Sequence, residues 1–371
     1  MPRRTLAIIA TLGVLLLAGC SAGASQAASG TTDPAAIEAA KTDTTKHMAP
    51  RAAEESQIPT DGPAGVTGKS LVAITCAASI EGCVAISDAH IEAAKALGWE
   101  TTIIDGKGSP QGWNDAMTNA IALHPDVIAL TAILPEGIQG TLQQARDAGI
   151  KILCTQCGGS GEAQKLVDVA NGDDIHSVIG TYLGDYVVAE SEGKAHVLAW
   201  LYPEFEISET RLNGFKSEID KCAGCTLDTF EVKISEWGTT LPDRIQALLA
   251  QNPDIDWIYS PADQTAFDAM NAVEAVGATG RIRVVGGNGD IHTYDTIRKS
   301  DVYVATAGVS PAATAWAGID GINRLLAGEQ PVESFTPVRL FDTTNADQVK
   351  AGTQYSGDVD FRSIYRKIWG L

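Results

Sequence analysis

The chain of 371 residues lacks the features that mark several common functions. No cluster of basic residues accompanies the formal net charge of −19, which argues against a nucleic-acid partner. Beyond residue 20 no apolar run reaches the roughly 18 residues of a membrane span, so we expect the rest of the chain to be soluble. The six histidines are scattered without metal-site spacing, and we expect neither a metal nor a cofactor.

Motifs of common enzyme classes are missing as well. Gly286-Gly-Asn-Gly289 follows a predicted strand but has neither the G-x-G-x-x-G spacing nor the Lys-Ser/Thr of a phosphate loop. Gly158-Gly-Ser-Gly161 lacks the G-x-S-x-G spacing of a hydrolase. Glu204 and Glu206 are close enough for acid–base chemistry, but we expect them to line a loop or to be solvated. The sequence therefore predicts a protein that is not an enzyme.

The first twenty residues have the layout of a secretory signal. Arg3 and Arg4 precede an apolar run over 6–17, which is too short for a stable membrane span. Leu17-Ala-Gly-Cys20 resembles the bacterial lipoprotein signal, and the alternative is an ordinary signal with an accidental cysteine. The resemblance implies that residues 1–19 are removed, that Cys20 carries lipid and that the protein is extracytoplasmic. Removing two arginines takes the net charge from −19 to −21.

Residues 20–68 are rich in Ala, Ser, Thr, Gly and Pro, a composition typical of spacers. We predict a lipid-anchored linker here, with a weak polar helix over 35–55. The alternative, in which this segment packs on the surface of the body, stays open.

Six cysteines remain after Cys20, and an even number in an exported chain favours disulfides. A redox site or a zinc site is the alternative for the two C-x-x-C pairs. Of fifteen possible connectivities, proximity in sequence favours three pairs: Cys76 with Cys83, Cys154 with Cys157, and Cys222 with Cys225.

From Lys69 onward, apolar strand patterns alternate with helical patterns, which predicts an α/β fold with parallel sheets. The plan occurs twice, since Leu123-His-Pro-Asp-Val-Ile-Ala-Leu-Thr131 parallels Gln251-Asn-Pro-Asp-Ile-Asp-Trp-Ile-Tyr259. This match places Gln156 and Asn288 at equivalent strand ends. We therefore expect two similar Rossmann-like lobes with a ligand cleft between the carboxyl ends of their strands.

Five short motifs, in order and spacing, resemble the type 1 periplasmic binding proteins, in the ribose-binding-protein-like branch that serves ABC sugar importers. The motifs are Ala93-Ala-Lys-Ala-Leu-Gly-Trp99, Ala145-Arg-Asp-Ala-Gly-Ile150, Thr210-Arg-Leu-Asn-Gly-Phe215, Val285-Gly-Gly-Asn-Gly289 and Leu325-Leu-Ala-Gly-Glu329. The resemblance implies a hinge of three crossings, near 171–174, 306–311 and 337–345. It divides the body into an N-terminal lobe of residues 69–172 plus about 309–336, and a C-terminal lobe and tail of residues 173–308 plus about 337–371.

The resemblance also suggests ligand residues, because sugar sites of that family combine planar polar side chains with aromatic rings. Arg211 matches the family's ligand arginine. Several family positions are changed here, since the usual Asp-Arg pair is Gln156-Cys157, an Asn is Ala262, an Asp is Asn288 and a Gln is Val309. The remaining candidates are Ser79, Gln156, Tyr202, Arg211, Trp237, Asp263 and Asn288.

Compared with the family pattern, this pocket keeps polar side chains but has fewer charged ones, which suits a small neutral carbohydrate or polyol. The resemblance implies a lipid-anchored receptor that delivers this solute to an ABC transporter permease, and we predict that the mature protein is a monomer. One alternative is a receptor for a sensor or signalling system, and another is a binder of a nucleoside-like or aromatic solute. A hydrolase acting on an exported saccharide is a third.

Overall fold

The computed structural model describes residues 33–51, 58–333 and 336–371. The predicted signal peptide and the predicted lipidation site Cys20 lie outside the described residues. Within these three ranges, no helix combines the length and the apolarity needed to cross a bilayer.

The N-terminal lobe is built on a parallel sheet of five strands in the order β2-β1-β3-β4-β5. The strands are β1 (Ser70–Thr75), β2 (Glu100–Asp105), β3 (Val127–Thr131), β4 (Lys151–Thr155) and β5 (Val169–Asn171). Every residue of β3 is buried, as expected for a central parallel strand covered on both faces.

The C-terminal lobe is built on six strands in the order β11-β10-β9-β8-β6-β7, all parallel except β11. The strands are β6 (His196–Leu201), β7 (Thr226–Glu231), β8 (Trp257–Tyr259), β9 (Arg283–Asn288), β10 (Tyr303–Val309) and β11 (Val338–Asp342). Apart from β11, this order repeats that of the first sheet. The predicted fold of two similar α/β lobes is therefore confirmed.

Helices connect the strands and cover the sheets. They are α1 (Pro34–Met48), α2 (Glu81–Ala96), α3 (Pro110–Ala122), α4 (Gln139–Asp147), α5 (Ile175–Glu190), α6 (Glu206–Ile219), α7 (Leu241–Gln251), α8 (Asp263–Ala275), α9 (Thr293–Ile297), α10 (Pro311–Leu326) and α11 (Phe361–Trp369). The residues at the start of α10 favour helix initiation. Ser310 caps the helix by accepting a hydrogen bond from the Ala313 amide, and Pro311 occupies its first turn.

Two helices begin earlier than their patterns predicted. The sequence pattern alone predicts α2 from Ser87 and α6 from Arg211, whereas the helices begin at Glu81 and Glu206. In α2 the additional turn contains Cys83, whose disulfide to Cys76 ties the helix to the end of β1. Arg211 therefore lies within α6 and not at its start, so its backbone is held by helical hydrogen bonds.

The C-terminal tail packs on a different lobe from the one we expected. We grouped residues up to 371 with the C-terminal lobe, but α11 packs against α10 and the first sheet of the N-terminal lobe. Trp369 stacks on Trp316 at 5.2 Å between ring centroids, and its indole Nε1 donates to Asp320 Oδ1 at 2.8 Å.

The described part of the predicted linker is packed on both lobes. Helix α1 lies against α5, where the His47 ring stacks on Tyr182 at 3.6 Å and its Nε2 lies 3.0 Å from Asp185 Oδ2. Further on, the Val66 amide donates to Asn323 Oδ1, and its carbonyl accepts from Trp99 Nε1. Residues 33–51 and 58–68 are therefore part of the folded body, as in the alternative that the sequence left open.

Candidate functional site

A cavity lies between the lobes, where the carboxyl ends of the two sheets face each other. The N-terminal lobe lines it with Ile80, Gly82, Cys83, Ile86, Ala132 and Gln156. The C-terminal lobe lines it with Tyr202, Phe205, Ile207, Ser208, Arg211, Trp237, Pro261, Ala262, Asn288 and Asp290. The cavity volume is about 70 Å³, enough for several waters, because one water needs roughly 10–15 Å³.

The lobes touch across the mouth of this cavity, so the structure shows a closed arrangement. The Ile291 amide donates to Glu81 Oε1 at 2.6 Å, and Gln264 Nε2 donates to the Ser79 carbonyl at 3.3 Å. The rings of Trp113 and Phe205 approach to 6.4 Å between centroids from opposite lobes. Ser79, a predicted ligand residue, is exposed and joins this rim contact through its backbone.

Arg211 is 5 % exposed and is fixed by three neutral acceptors. Its Nε donates to His176 Nδ1 at 3.0 Å, and its Nη1 donates to the Pro261 carbonyl at 2.6 Å and to Asn288 Oδ1 at 2.8 Å. Burial and the neighbouring guanidinium hold the pKa of His176 well below its ordinary value, so the imidazole is neutral and can accept. The guanidinium is thus oriented before any solute arrives.

Tyr202 and Trp237 form an aromatic corner on the same side of the cavity. Their ring centroids are 4.6 Å apart at an interplanar angle of 53°. The Tyr202 hydroxyl is hydrogen-bonded to Thr265 and accepts from Trp200 Nε1, and burial raises the pKa of Tyr202 to about 12. Tyr202 therefore offers its ring face and not its hydroxyl, whereas Trp237 Nε1 is buried without a hydrogen-bond partner.

Gln156 and Asn288 occupy the equivalent strand ends that the repeat predicted. Gln156 directly follows β4, Asn288 ends β9, and both have positive φ, 55° and 121°. Gln156 Nε2 is buried without a partner, while Asn288 Oδ1 already accepts from Arg211. Both residues line the cavity.

Asp263 lies behind the cavity and does not line it. Its carboxylate accepts from the Tyr303 hydroxyl, from Thr306 Oγ1 at 2.9 Å and from the Asp290 amide at 2.7 Å. The side chain is fully buried, so its hydrogen bonds fix the loop that carries Asp290. The sequence places Asp263 at a helix start near the cleft, but the helix rotation that turns its carboxylate inward is set by tertiary packing.

Asp290 is a cavity residue that the sequence argument missed. It is 3 % exposed, and its Oδ1 is buried without a partner. Burial, with Asp263 and Glu81 nearby, holds the pKa of Asp290 well above its ordinary value, and Arg211 partly offsets this. The sequence does contain an indication of this role. Asp290 is the acidic residue nearest in sequence to Asn288, and the family has an aspartate at the position of Asn288.

All six remaining cysteines are disulfide-bonded in the three predicted pairs. The Cys154–Cys157 disulfide encloses Gln156, and Cys83 of the Cys76–Cys83 disulfide lines the cavity. Cys154 and Cys157 are at most 3 % exposed, which suits structural bonds better than a redox site. Two of the three disulfides therefore stabilise loops of the N-terminal lobe at the cleft.

Several known proteins share this architecture. A family model described as a periplasmic binding protein domain matches residues 74–330. The ABC transporter periplasmic-binding protein YphF of Escherichia coli (strain K12) is 21 % identical over 248 residues, which is 64 % of this chain and 74 % of that protein.

Solved structures align over three quarters of the chain. An ABC transporter solute binding protein from Agrobacterium vitis with bound allitol has a TM-score of 0.67 at 22 % identity, covering 76 % of this chain and 97 % of that one. Another from Mycobacterium smegmatis with bound glycerol has a TM-score of 0.69 at 21 % identity, covering 79 % and 100 %. At these identities the likeness establishes the shared fold.

Two lobes that meet around a mainly apolar cavity with a few buried polar groups have the architecture of a clamp-type solute receptor. The chain belongs to the periplasmic binding protein family, in the type 1, ribose-binding-like group. The comparisons confirm the family that the motifs suggested, and they confirm that the chain is a binding protein and not an enzyme.

Proposed function

We propose that this chain is an extracytoplasmic lipoprotein that captures a small neutral carbohydrate or polyol between its lobes and delivers it to an ABC transporter permease. The observation that carries the proposal is the pairing of an oriented guanidinium with an aromatic corner in one closed cavity. Arg211 supplies charged hydrogen-bond donors, and the rings of Tyr202 and Trp237 supply an apolar face. A sugar or a cyclic polyol presents both kinds of surface, with hydroxyls at its edge and C–H groups on its face.

The unsatisfied polar atoms of the cavity support a hydroxylated solute. Gln156 Nε2 and Trp237 Nε1 are buried donors without partners, and Asp290 Oδ1 is a buried acceptor without one. Leaving such groups unpaired costs about 1–3 kcal/mol each. A hydroxyl group both donates and accepts, so one polyhydroxy compound can satisfy all three.

The charge around the cavity supports a neutral solute. Arg211 is the cation that lines the cavity, and Asp290 shares the same space, with Asp263 behind it. Burial and the neighbouring acids Asp263 and Glu81 already raise the pKa of Asp290, so a further negative charge from an anionic solute would be unfavourable there. The ligands bound in the two solved proteins agree with this reasoning, since allitol and glycerol are uncharged.

A thermal-shift screen of the purified mature protein tests the ligand class. The probes are D-allose, D-ribose, allitol and myo-inositol, with adenosine and a sugar acid for comparison. We expect a neutral polyhydroxy probe to stabilise the protein by about 2.7 kcal/mol at 100 times its dissociation constant. If only adenosine shifts the melting temperature, the nucleoside alternative replaces the carbohydrate proposal. If only the sugar acid does, the neutrality argument is wrong.

The anchoring part of the proposal has a separate test. In cells, the Cys20→Ala variant should be released into the soluble extracytoplasmic fraction, whereas the unaltered protein should fractionate with membranes. Ser21→Ala is a matched control that leaves the lipid acceptor in place. Membrane association that survives Cys20→Ala would contradict the lipid anchor without affecting the ligand proposal.

A further inference from the structure

Asp290 lines the cavity and carries a buried carboxylate oxygen that the fold leaves without a hydrogen-bond partner. The residue follows Gly289 at the end of β9, and its backbone amide is held by Asp263 Oδ2 at 2.7 Å. Its side chain lines the cavity, is 3 % exposed and has Oδ1 buried and unpaired. The loop is thus fixed through its backbone, while the side chain remains available to a solute.

Three acidic or amide side chains near Asp290 are already engaged. Asn288 Oδ1 accepts from Arg211, and Glu81 Oε1 accepts from the Ile291 amide across the cleft. The Asp263 carboxylate accepts three hydrogen bonds within its own lobe. Among the described residues that line the cavity, Asp290 is therefore the acidic residue whose side chain still has a hydrogen-bond acceptor available to a ligand.

Resting on the proposed function, we infer that Asp290 is a specificity-determining residue, whose Oδ1 accepts a hydrogen bond from one hydroxyl of the solute while Arg211 donates to another oxygen of the same molecule. The site then requires a donor hydroxyl at one position and rejects analogues in which that hydroxyl is absent or methylated. This requirement follows from the cost of closing the lobes on a buried carboxyl that has no partner.

The alternative occupant, a metal ion, has little support from the geometry. Within residues 33–51, 58–333 and 336–371, no group of three or more His, Cys, Asp or Glu side chains is arranged to hold one. Asp263 already gives its carboxylate oxygens to protein donors, which leaves Asp290 as a single acid facing the cavity. One carboxylate beside a guanidinium fits a hydroxylated solute better than a cation.

Calorimetric titration of four proteins tests the inference. These are the mature protein, Asp290→Ala, Asp290→Asn and the control Asp254→Asn, an exposed aspartate of the same lobe. The ligand is whichever of D-allose, D-ribose, allitol and myo-inositol gives the largest thermal shift. We expect Asp290→Ala to weaken binding roughly 10- to 100-fold, the effect of losing one hydrogen bond to a charged group. Asp290→Asn should weaken it less, and the control should bind normally.

Deoxy analogues of the same ligand make the test specific to one hydroxyl. The analogue lacking the contacted hydroxyl should lose affinity for the mature protein but lose little further affinity for Asp290→Ala, as in a double-mutant cycle. If Asp290→Ala fails to fold, the Asn variant decides the outcome, because it keeps the shape of the side chain.

The possible outcomes separate the two claims. If both the Asn and the Ala variant bind the ligand as tightly as the mature protein does, Asp290 has no role in specificity, and the proposed function still stands. A mature protein that responds to none of the four probes would instead contradict the proposed function, and the inference about Asp290 would fall with it.

Discussion

Arg211 enters the cavity with three of its hydrogen bonds already made to the protein. Because the acceptors belong to α5, to the turn before α8 and to β9, the guanidinium is held at the junction of three elements. Such an arrangement lowers the entropy lost when a ligand binds, since the side chain is ordered beforehand. The same contacts mean that truncating Arg211 would also leave buried acceptors unpaired.

Replacing Arg211 with lysine separates charge from geometry. Lysine keeps the positive charge but lacks the planar fork, so Arg211→Lys should weaken binding of the best neutral probe roughly 10- to 100-fold. Arg283→Lys is the matched control, because Arg283 lies at the opposite end of β9 and is 44 % exposed. Titration calorimetry measures both variants, and an unchanged affinity in Arg211→Lys would remove the guanidinium fork from the site.

The raised pKa of Asp290 predicts how the stability of the ligand-free protein depends on pH. Burial raises its pKa above 3.8 in the native state, and Asp263 and Glu81 add to this shift. As pH rises from about 4, the unfolded chain releases the proton first, so the native state loses stability until its own raised pKa is passed. Asp290→Asn removes this titration and should therefore raise the melting temperature more at pH 7.5 than at pH 4.5. A difference in melting temperature that does not vary with pH would contradict the assignment.

At the scale of elements, α11 shows how the tail is tied to the N-terminal lobe. Trp369 is 2 % exposed, stacks on Trp316 and donates to Asp320, which is itself paired with Arg324 at 2.7 Å. Trp369→Ala should lower the free energy of unfolding by about 3–5 kcal/mol, through lost burial and an unpaired carboxylate. Leu371→Ala, at a residue 55 % exposed, is the control. Denaturant unfolding gives both values, and equal stabilities would mean that α11 does not stabilise the lobe.

The elements also show what sequence patterns can and cannot predict. Alternation of buried strands and amphipathic helices is a local property, so it predicted the paired lobes and placed Gln156 and Asn288 at matching strand ends. The docking of α11 depends on which lobe offers a complementary apolar face, and local periodicity carries no information about that choice. The position of Asp290 depends on the path of a loop, which is set by its backbone bond to Asp263 and not by a pattern.

The predicted linker also shows what sequence composition cannot predict. Its composition is typical of a spacer, yet the ring of His47 stacks on Tyr182 and the Met48 carbonyl accepts from Arg339 Nε at 2.8 Å. Apolar residues contribute as well, because Ala40 is buried in the core of the C-terminal lobe and Ile58 packs against that of the N-terminal lobe. Composition alone could not distinguish these bonds from contacts with water.

At the scale of the whole molecule, closure without a ligand has an identifiable cost. Gln156 Nε2, Trp237 Nε1 and Asp290 Oδ1 are all buried without partners in the closed arrangement. At about 1–3 kcal/mol for each unpaired group, the empty protein should favour a form in which the cleft is open to water. A solute that supplies the missing partners shifts the population toward the closed form.

Small-angle X-ray scattering of the mature protein, alone and with saturating D-allose or allitol, tests this central claim most directly. We predict that the ligand which raises the melting temperature also decreases the radius of gyration, and that the closed structure fits the scattering of the complex better than that of the free protein. Identical scattering curves for the free and ligand-saturated protein would contradict closure of the two lobes around a solute.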